Sequence, residues 1–289
     1  MSDISDIARD APAPHPAFRP TRELTVAVGG FGAIGRAVAR SLDRGMTGLK
    51  LVAVSARNVD RARLVVSSFE HPVPVEPLER LAEVADIIIE CVPAAAFPRI
   101  AIPALNAGRI LIAISVGALI ANQEILDLAA KSKGRIIVPS GALLGLDAVQ
   151  AAAEGVIRSV RMVTRKPPRG LSGAPYLRAN GIDIANITEP LKIFSGSARE
   201  AAAGFPENLN VAAALGLAGV GPDRTIIEVW ADPWVERNEH TIMVACDSAD
   251  FEMTISNIPS LDNPRTGKIT ALSVVAALRK LTNPIQIGT

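Results

Sequence analysis

The chain has 289 residues, 49% hydrophobic and 3% aromatic, with a formal net charge of +1. That length supports two domains or one large one, and a near-neutral charge without a basic block argues against nucleic acid or an anionic membrane as partner. Cys91 and Cys246 lie far apart without metal-ligand spacing, so no metal site and a reduced, cytoplasmic setting are expected, and no apolar run reaches the roughly 18–20 residues of a membrane span.

Residues 1–20, rich in proline and aspartate, lack the build of a secretion signal and read as a mobile arm. His15 lies there and is given no chemistry. Leu24–Val28 then reads as a buried strand, and Ala33–Met46 as the helix that follows it. Between them, Gly30-Phe31-Gly32-Ala33-Ile34-Gly35 has the spacing G-x-G-x-x-G. In a strand–turn–helix setting, the first glycine makes the tight turn and the second lets a pyrophosphate approach. The third lets helix pack on strand, and the helix N-terminus faces the phosphates. Leu49–Ser55 is the second strand. Its tip, Ser55-Ala56-Arg57-Asn58, carries no acid for a ribose 2′-hydroxyl. Arg57 is either a partner for a 2′-phosphate or a solvated loop charge, so the cofactor is NAD or NADP, with a lean to NADP.

Helical stretches at Asp60–Ser68, Leu78–Val84, Pro98–Ala107 and Gln123–Ser132 alternate with strands at Asp86–Cys91, Arg109–Ile114 and Arg135–Val138. This rhythm predicts right-handed βαβ crossovers and a parallel sheet. Ligands of such sheets sit beyond the strands' carboxyl ends. Cys91-Val92-Pro93, Ser115-Val116-Gly117 and Ser140-Gly141-Ala142 therefore surround the nicotinamide half of a cofactor. Cys91 itself reads as a small core residue rather than a nucleophile, and His71, before a proline in a loop, as a surface residue.

The pattern changes after Gly145. Strands at Val156–Thr164, Leu191–Ser195, Arg224–Ala231, Thr241–Cys246 and Phe251–Ser256, with helices at Leu146–Ala153, Ala198–Ala203 and Asn208–Ala218, predict an α+β unit. Its consecutive strands and short turns predict an antiparallel sheet. The fold class is thus α/β: a Rossmann-type parallel-sheet domain over 21–145 and a second α+β domain over 146–264. The helix Lys268–Leu281, within 265–289, returns to cover the first domain.

His240 falls between two predicted strands of the second domain. A nicotinamide enzyme needs a proton acceptor beside the carbon that loses hydride, and histidine titrates near neutral pH; a hydrogen-bonded strand histidine is the plainer alternative. Arg165 and Lys166, in a proline-stopped basic loop, either hold substrate carboxylates or are solvated. Asn208 is a helix cap or a substrate contact. Asn210, inside the helix, has less structural reason to be there and reads as a ligand contact.

Several segments together resemble the L-aspartate dehydrogenase family: Pro139-Ser140-Gly141-Ala142-Leu143-Leu144-Gly145-Leu146-Asp147-Ala148, Thr164-Arg165-Lys166-Pro167-Pro168 and Phe205-Pro206-Glu207-Asn208-Leu209-Asn210-Val211-Ala212-Ala213. So do Ala231-Asp232-Pro233 with Asn238-Glu239-His240, and Asn263-Pro264-Arg265-Thr266 running into Thr270-Ala271-Leu272-Ser273. The resemblance covers about residues 22–285. It implies a homodimeric enzyme that oxidises L-aspartate with NAD or NADP to iminoaspartate, which hydrolyses to oxaloacetate and ammonia or feeds NAD biosynthesis. It implies that His240 is the active-site residue and that Ala142 and Asn210 contact the cofactor. The rival readings are another NAD(P)-dependent amino- or imino-acid oxidoreductase on this architecture, or a non-catalytic dinucleotide sensor.

Overall fold

A computed structural model describes residues 22–206, 209–260 and 267–288. The expectations for the arm over 1–20, for Asn208 and for 263–266 lie outside the described residues.

The first sheet holds β1 (Leu24–Gly29), β2 (Leu49–Ser55), β3 (Ile87–Glu90), β4 (Ile110–Ala113) and β5 (Arg135–Ile137). They run parallel in the order β2-β1-β3-β4-β5. Helices α1 (Ala33–Asp43), α2 (Val59–Val66), α3 (Leu81–Val84), α4 (Phe97–Asn106), α5 (Val116–Ala121) and α6 (Gln123–Lys131) make or extend the crossovers. A central parallel strand is covered on both faces, so β3 opens with the apolar run Ile87-Ile88-Ile89. Ile88 packs with Phe97 and Ile100 of α4, while Ile87 and Ile89 pack with Val38 and Ala39 of α1 on the other face.

The second unit contains α7 (Leu146–Ala153), β6 (Ile157–Lys166), α8 (Pro168–Leu171), α9 (Pro175–Ala179), β7 (Leu191–Ser197), α10 (Ala198–Gly204) and α11 (Asn210–Ala218). It continues with β8 (Ile226–Ala231), β9 (Asn238–Cys246), β10 (Asp250–Asn257) and α12 (Lys268–Thr282). The sheet order is β10-β9-β6-β8-β7. It is mixed, not antiparallel as the short turns suggested, because β6 inserts between β8 and β9 and pairs parallel with β8. A short connection from β8 to β9 therefore steps over β6 instead of forming a hairpin. The last helix, α12, puts Val274 and Leu278 into the core formed by Val26, Val28 and Val38, against the first sheet.

Two strand boundaries matter for the site. β6 continues to Lys166, and β9 begins at Asn238, so His240 lies inside a strand and not between two. The inward face of β6 carries Val160, Met162, Thr164 and Lys166 in strict alternation, all buried. Pro167, which has no N–H to donate, stops the strand only after Lys166.

Candidate active site

The glycine loop is built as its spacing predicts, and each glycine has a distinct reason. Gly30 has φ +94°, and a Cβ there would strike the Cys91 carbonyl oxygen. A Cβ on Gly35 would strike the Gly30 carbonyl oxygen, so helix α1 can approach β1 only with glycine at this position. Gly32 differs: a Cβ there would meet nothing within 4 Å. The protein does not need that bareness for its own packing; an approaching pyrophosphate does. This open floor fits a dinucleotide. Ala33 and Ile34 open α1, and Phe31 packs beside Phe69 with ring centroids 6.4 Å apart.

At the tip of β2, Ser55 accepts a 3.0 Å hydrogen bond on its carbonyl oxygen from Gly30 N–H, which ties the tip to the loop. Arg57 is exposed there. Asn58 is the N-cap of α2, its Oδ1 accepting from Arg61 N–H at 2.9 Å. Cys91 is half-buried, and burial pushes its thiol well above its ordinary range, so it is a poor nucleophile.

Beyond the carboxyl ends of the first sheet lies a half-open cleft. From the first unit it is lined by Ile34, Ile114, Val116 and the segment from Pro139 to Ala142. Asn210 comes from α11, and Lys166, Asn238 and His240 come from the second sheet. The structure thus brings Ile34, Ala142, Asn210, Lys166 and His240 together. Their neighbours are fixed from both units. Asn210 Oδ1 accepts from Gly117 N–H at 2.9 Å, across 93 residues of sequence. That leaves its amide hydrogens as the donors for a ligand. Ala142 accepts on its carbonyl from Asn257 Nδ2 at 3.1 Å, and Gly141 N–H donates to Ser273 Oγ of α12 at 3.1 Å.

Arg165 is not brought to the cleft. Its neighbour Lys166 takes the buried face of β6, so strand alternation turns Arg165 to the other face. There its guanidinium donates to Asp232 Oδ2 at 2.8 Å and stacks over Trp230, 5.0 Å from the ring centroid. Lys166 is 2% exposed, and desolvation pulls its ammonium down to about 8.

His240 is also 2% exposed and sits directly opposite Thr164 across β6 and β9. Its Nδ1 is 3.0 Å from Thr164 Oγ1. Burial, then the charge of Lys166, pulls the imidazole down to about 3, so the ring is neutral at working pH. With Nδ1 committed to the threonine, Nε2 is the nitrogen left for the cleft. No cluster of metal-ligating side chains occurs among the described residues.

Two residues that sequence reasoning passed over support the site. Thr164 orients His240, and its signal is the period of two that links it to Lys166. Glu90 ends β3 with a fully buried carboxylate, signalled only by an acid closing the run Ile87-Ile88-Ile89.

Residues 147–281 match the family model described as aspartate dehydrogenase, C-terminal, and residues 30–139 match homoserine dehydrogenase, NAD binding domain. The chain is 56% identical to L-aspartate dehydrogenase 3 of Bordetella bronchiseptica over 92% of its own length and 98% of that protein. It is 53% identical to L-aspartate dehydrogenase of Bradyrhizobium diazoefficiens, covering 92% and 95% of the two chains. Its fold is similar to the crystal structure of aspartate dehydrogenase from Thermotoga maritima, with a TM-score of 0.71, 24% identity, and coverage of 92% and 99%.

Proposed function

This chain belongs to the L-aspartate dehydrogenase family, and from that premise we propose that it oxidatively deaminates L-aspartate in the cleft between its two units. The observation that carries this reading is the meeting of Lys166 and His240 in one cleft with Ala142 and Asn210, beyond the carboxyl ends of an NAD(P)-binding sheet.

The glycine loop and the N-terminus of α1 hold the cofactor's phosphates, and Asn210 and the Ala142 segment flank its nicotinamide half. A nicotinamide bound there would supply the hydride acceptor for the aspartate α-carbon. Lys166, as a buried ammonium, holds one substrate carboxylate. At such a depth the Coulomb attraction is less screened than on the surface, and it offsets the cost of stripping water from the substrate carboxylate. It also cancels the positive charge that, after burial, holds His240 down, so an arriving dicarboxylate makes the imidazole a better base.

His240 Nε2 takes the proton from the water that adds to the substrate's iminium carbon. For this, Nδ1 carries the ring hydrogen and donates it to Thr164 Oγ1. Water adds at carbon, ammonia leaves, and iminoaspartate becomes oxaloacetate. Direct release of iminoaspartate to NAD biosynthesis is the alternative fate within the same reading. A homodimeric, cytoplasmic enzyme completes the proposal, and sedimentation of the purified protein tests the dimer. No described helix is long and apolar enough to cross a membrane.

A substrate panel tests the activity: L-aspartate with NAD or NADP yields reduced cofactor, whereas activity on another amino acid with none on aspartate overturns the assignment.

A further inference from the structure

Glu90 is a buried acid at the mouth of the cofactor sheet, and both of its oxygens are engaged. Its Oε1 accepts from Val92 N–H at 2.9 Å and Ser115 Oγ–H at 2.8 Å. Its Oε2 accepts from Ile114 N–H at 3.0 Å and Ser115 N–H at 2.8 Å. The Ser115 hydroxyl also lies 3.0 Å from the Val92 carbonyl oxygen, closing the cluster. Burial pushes the carboxyl upward while these donors pull it back.

These four donors come from two turns, one after β3 and one after β4. A turn after a strand leaves its N–H groups without ladder partners, and a buried one needs an acceptor. Glu90 supplies it for both turns at once. The second turn then runs directly into the cleft: Ile114 and Val116 line it, and Gly117 N–H binds Asn210 Oδ1. The same turn anchors α5, whose Val116 and Ile120 pack against Ala202, Ala213 and Ala214 of the second unit. The carboxylate is therefore the common post from which the nicotinamide side of the cleft hangs; the glycine loop touches the first of these turns at Gly30 and Cys91 but has a separate tie, from Gly30 N–H to the Ser55 carbonyl oxygen.

We propose that Glu90 is a positioning residue for the nicotinamide half of the cofactor, acting through the Val92 and Ile114–Gly117 turns and through Asn210. This rests on the cofactor placement given above. A glutamine at this position keeps the size but turns its N–H₂ group toward at least one backbone N–H. The least damaging orientation points it at Val92 N–H, so the first turn loses its anchor.

The test compares two ligands on the intact protein. NADH or NADPH engages both halves of the site; ADP-ribose, with or without the 2′-phosphate, engages only the glycine-loop half. In Glu90→Gln the dissociation constant for the reduced dinucleotide rises about tenfold, the loss of a hydrogen bond to a charged group, while that for the ADP-ribose ligand stays within about twofold. Ser115→Ala, which removes one hydroxyl and leaves the backbone donors, shows the same split at about threefold, and it decides the matter should the glutamine variant not fold. Equal weakening of both ligands, or no change in either, overturns the proposal. If the wild-type protein binds ADP-ribose no more weakly than the full dinucleotide, the cofactor placement itself fails instead.

Discussion

Thr164 Oγ1 and His240 Nδ1 lie 3.0 Å apart, between residues directly opposed on neighbouring antiparallel strands and both sealed from solvent. The bond fixes the imidazole's rotation and decides which nitrogen is left for the substrate. Thr164→Val keeps the shape and removes the hydroxyl. Such a bond is worth about 1 kcal/mol, so turnover falls roughly fivefold. Cofactor affinity, measured by quenching of protein fluorescence, stays as it was. An unchanged turnover shows that the threonine orients nothing.

Lys166 titrates at about 8 because it is desolvated. Only the ammonium form attracts a carboxylate. Binding of succinate, an inert dicarboxylate, therefore weakens as pH rises above about 8, by about tenfold for each further pH unit. Lys166→Met binds succinate weakly with no such dependence. Calorimetric titration across this range checks it, and a wild-type affinity that is flat with pH removes Lys166 from the substrate.

The glycine loop separates fold from function in a way that substitutions can read. Gly35→Ala sets a methyl against the Gly30 carbonyl oxygen, so it lowers the melting temperature. Gly32→Ala meets no protein atom within 4 Å and leaves the melting temperature of the free protein alone. It still weakens NAD(P) binding, because the methyl occupies the place of approach. If Gly32→Ala binds cofactor normally, the phosphates do not lie there.

His240 also marks the acid limb of stability. Its folded value of about 3 is below the ordinary 6.5, so between these two the unfolded chain binds a proton that the native chain refuses. Stability from this group is lost as pH falls through that window, by at most about 1.4 kcal/mol per pH unit. Glu90, raised by burial, works in the opposite direction. Urea unfolding at several pH values shows His240→Gln gaining on the wild type as the medium is acidified. A constant difference between the two contradicts a buried neutral imidazole.

Most of the first unit was legible because its signals are local. The apolar run before Gly30 and the regular alternation of strands and helices need no long-range knowledge, and α12 advertised its apolar face. The second unit was harder. Arg165-Lys166-Pro167-Pro168-Arg169 looks like a basic loop, yet the alternation of Val160, Met162 and Thr164 carries on to Lys166. Following that period two residues further separates Arg165 from Lys166 and sends only one to the cleft. The pairing of Thr164 with His240 joins residues 76 apart, and the donors to Glu90 Oε2 lie 24 and 25 residues downstream. No window of sequence contains either relationship. The parallel pairing of β6 with β8 was hidden for the same reason: strand order is set by packing of the whole sheet, not by the length of one turn.

The most direct measurement follows reduced cofactor and ammonium together, with L-aspartate as the only amino acid, in the wild type and in His240→Ala. The wild type forms the two products in equal amounts, and the variant still binds cofactor while turnover drops by roughly 10²–10⁴. Reduced cofactor without ammonium, or near-normal turnover in His240→Ala, contradicts the account.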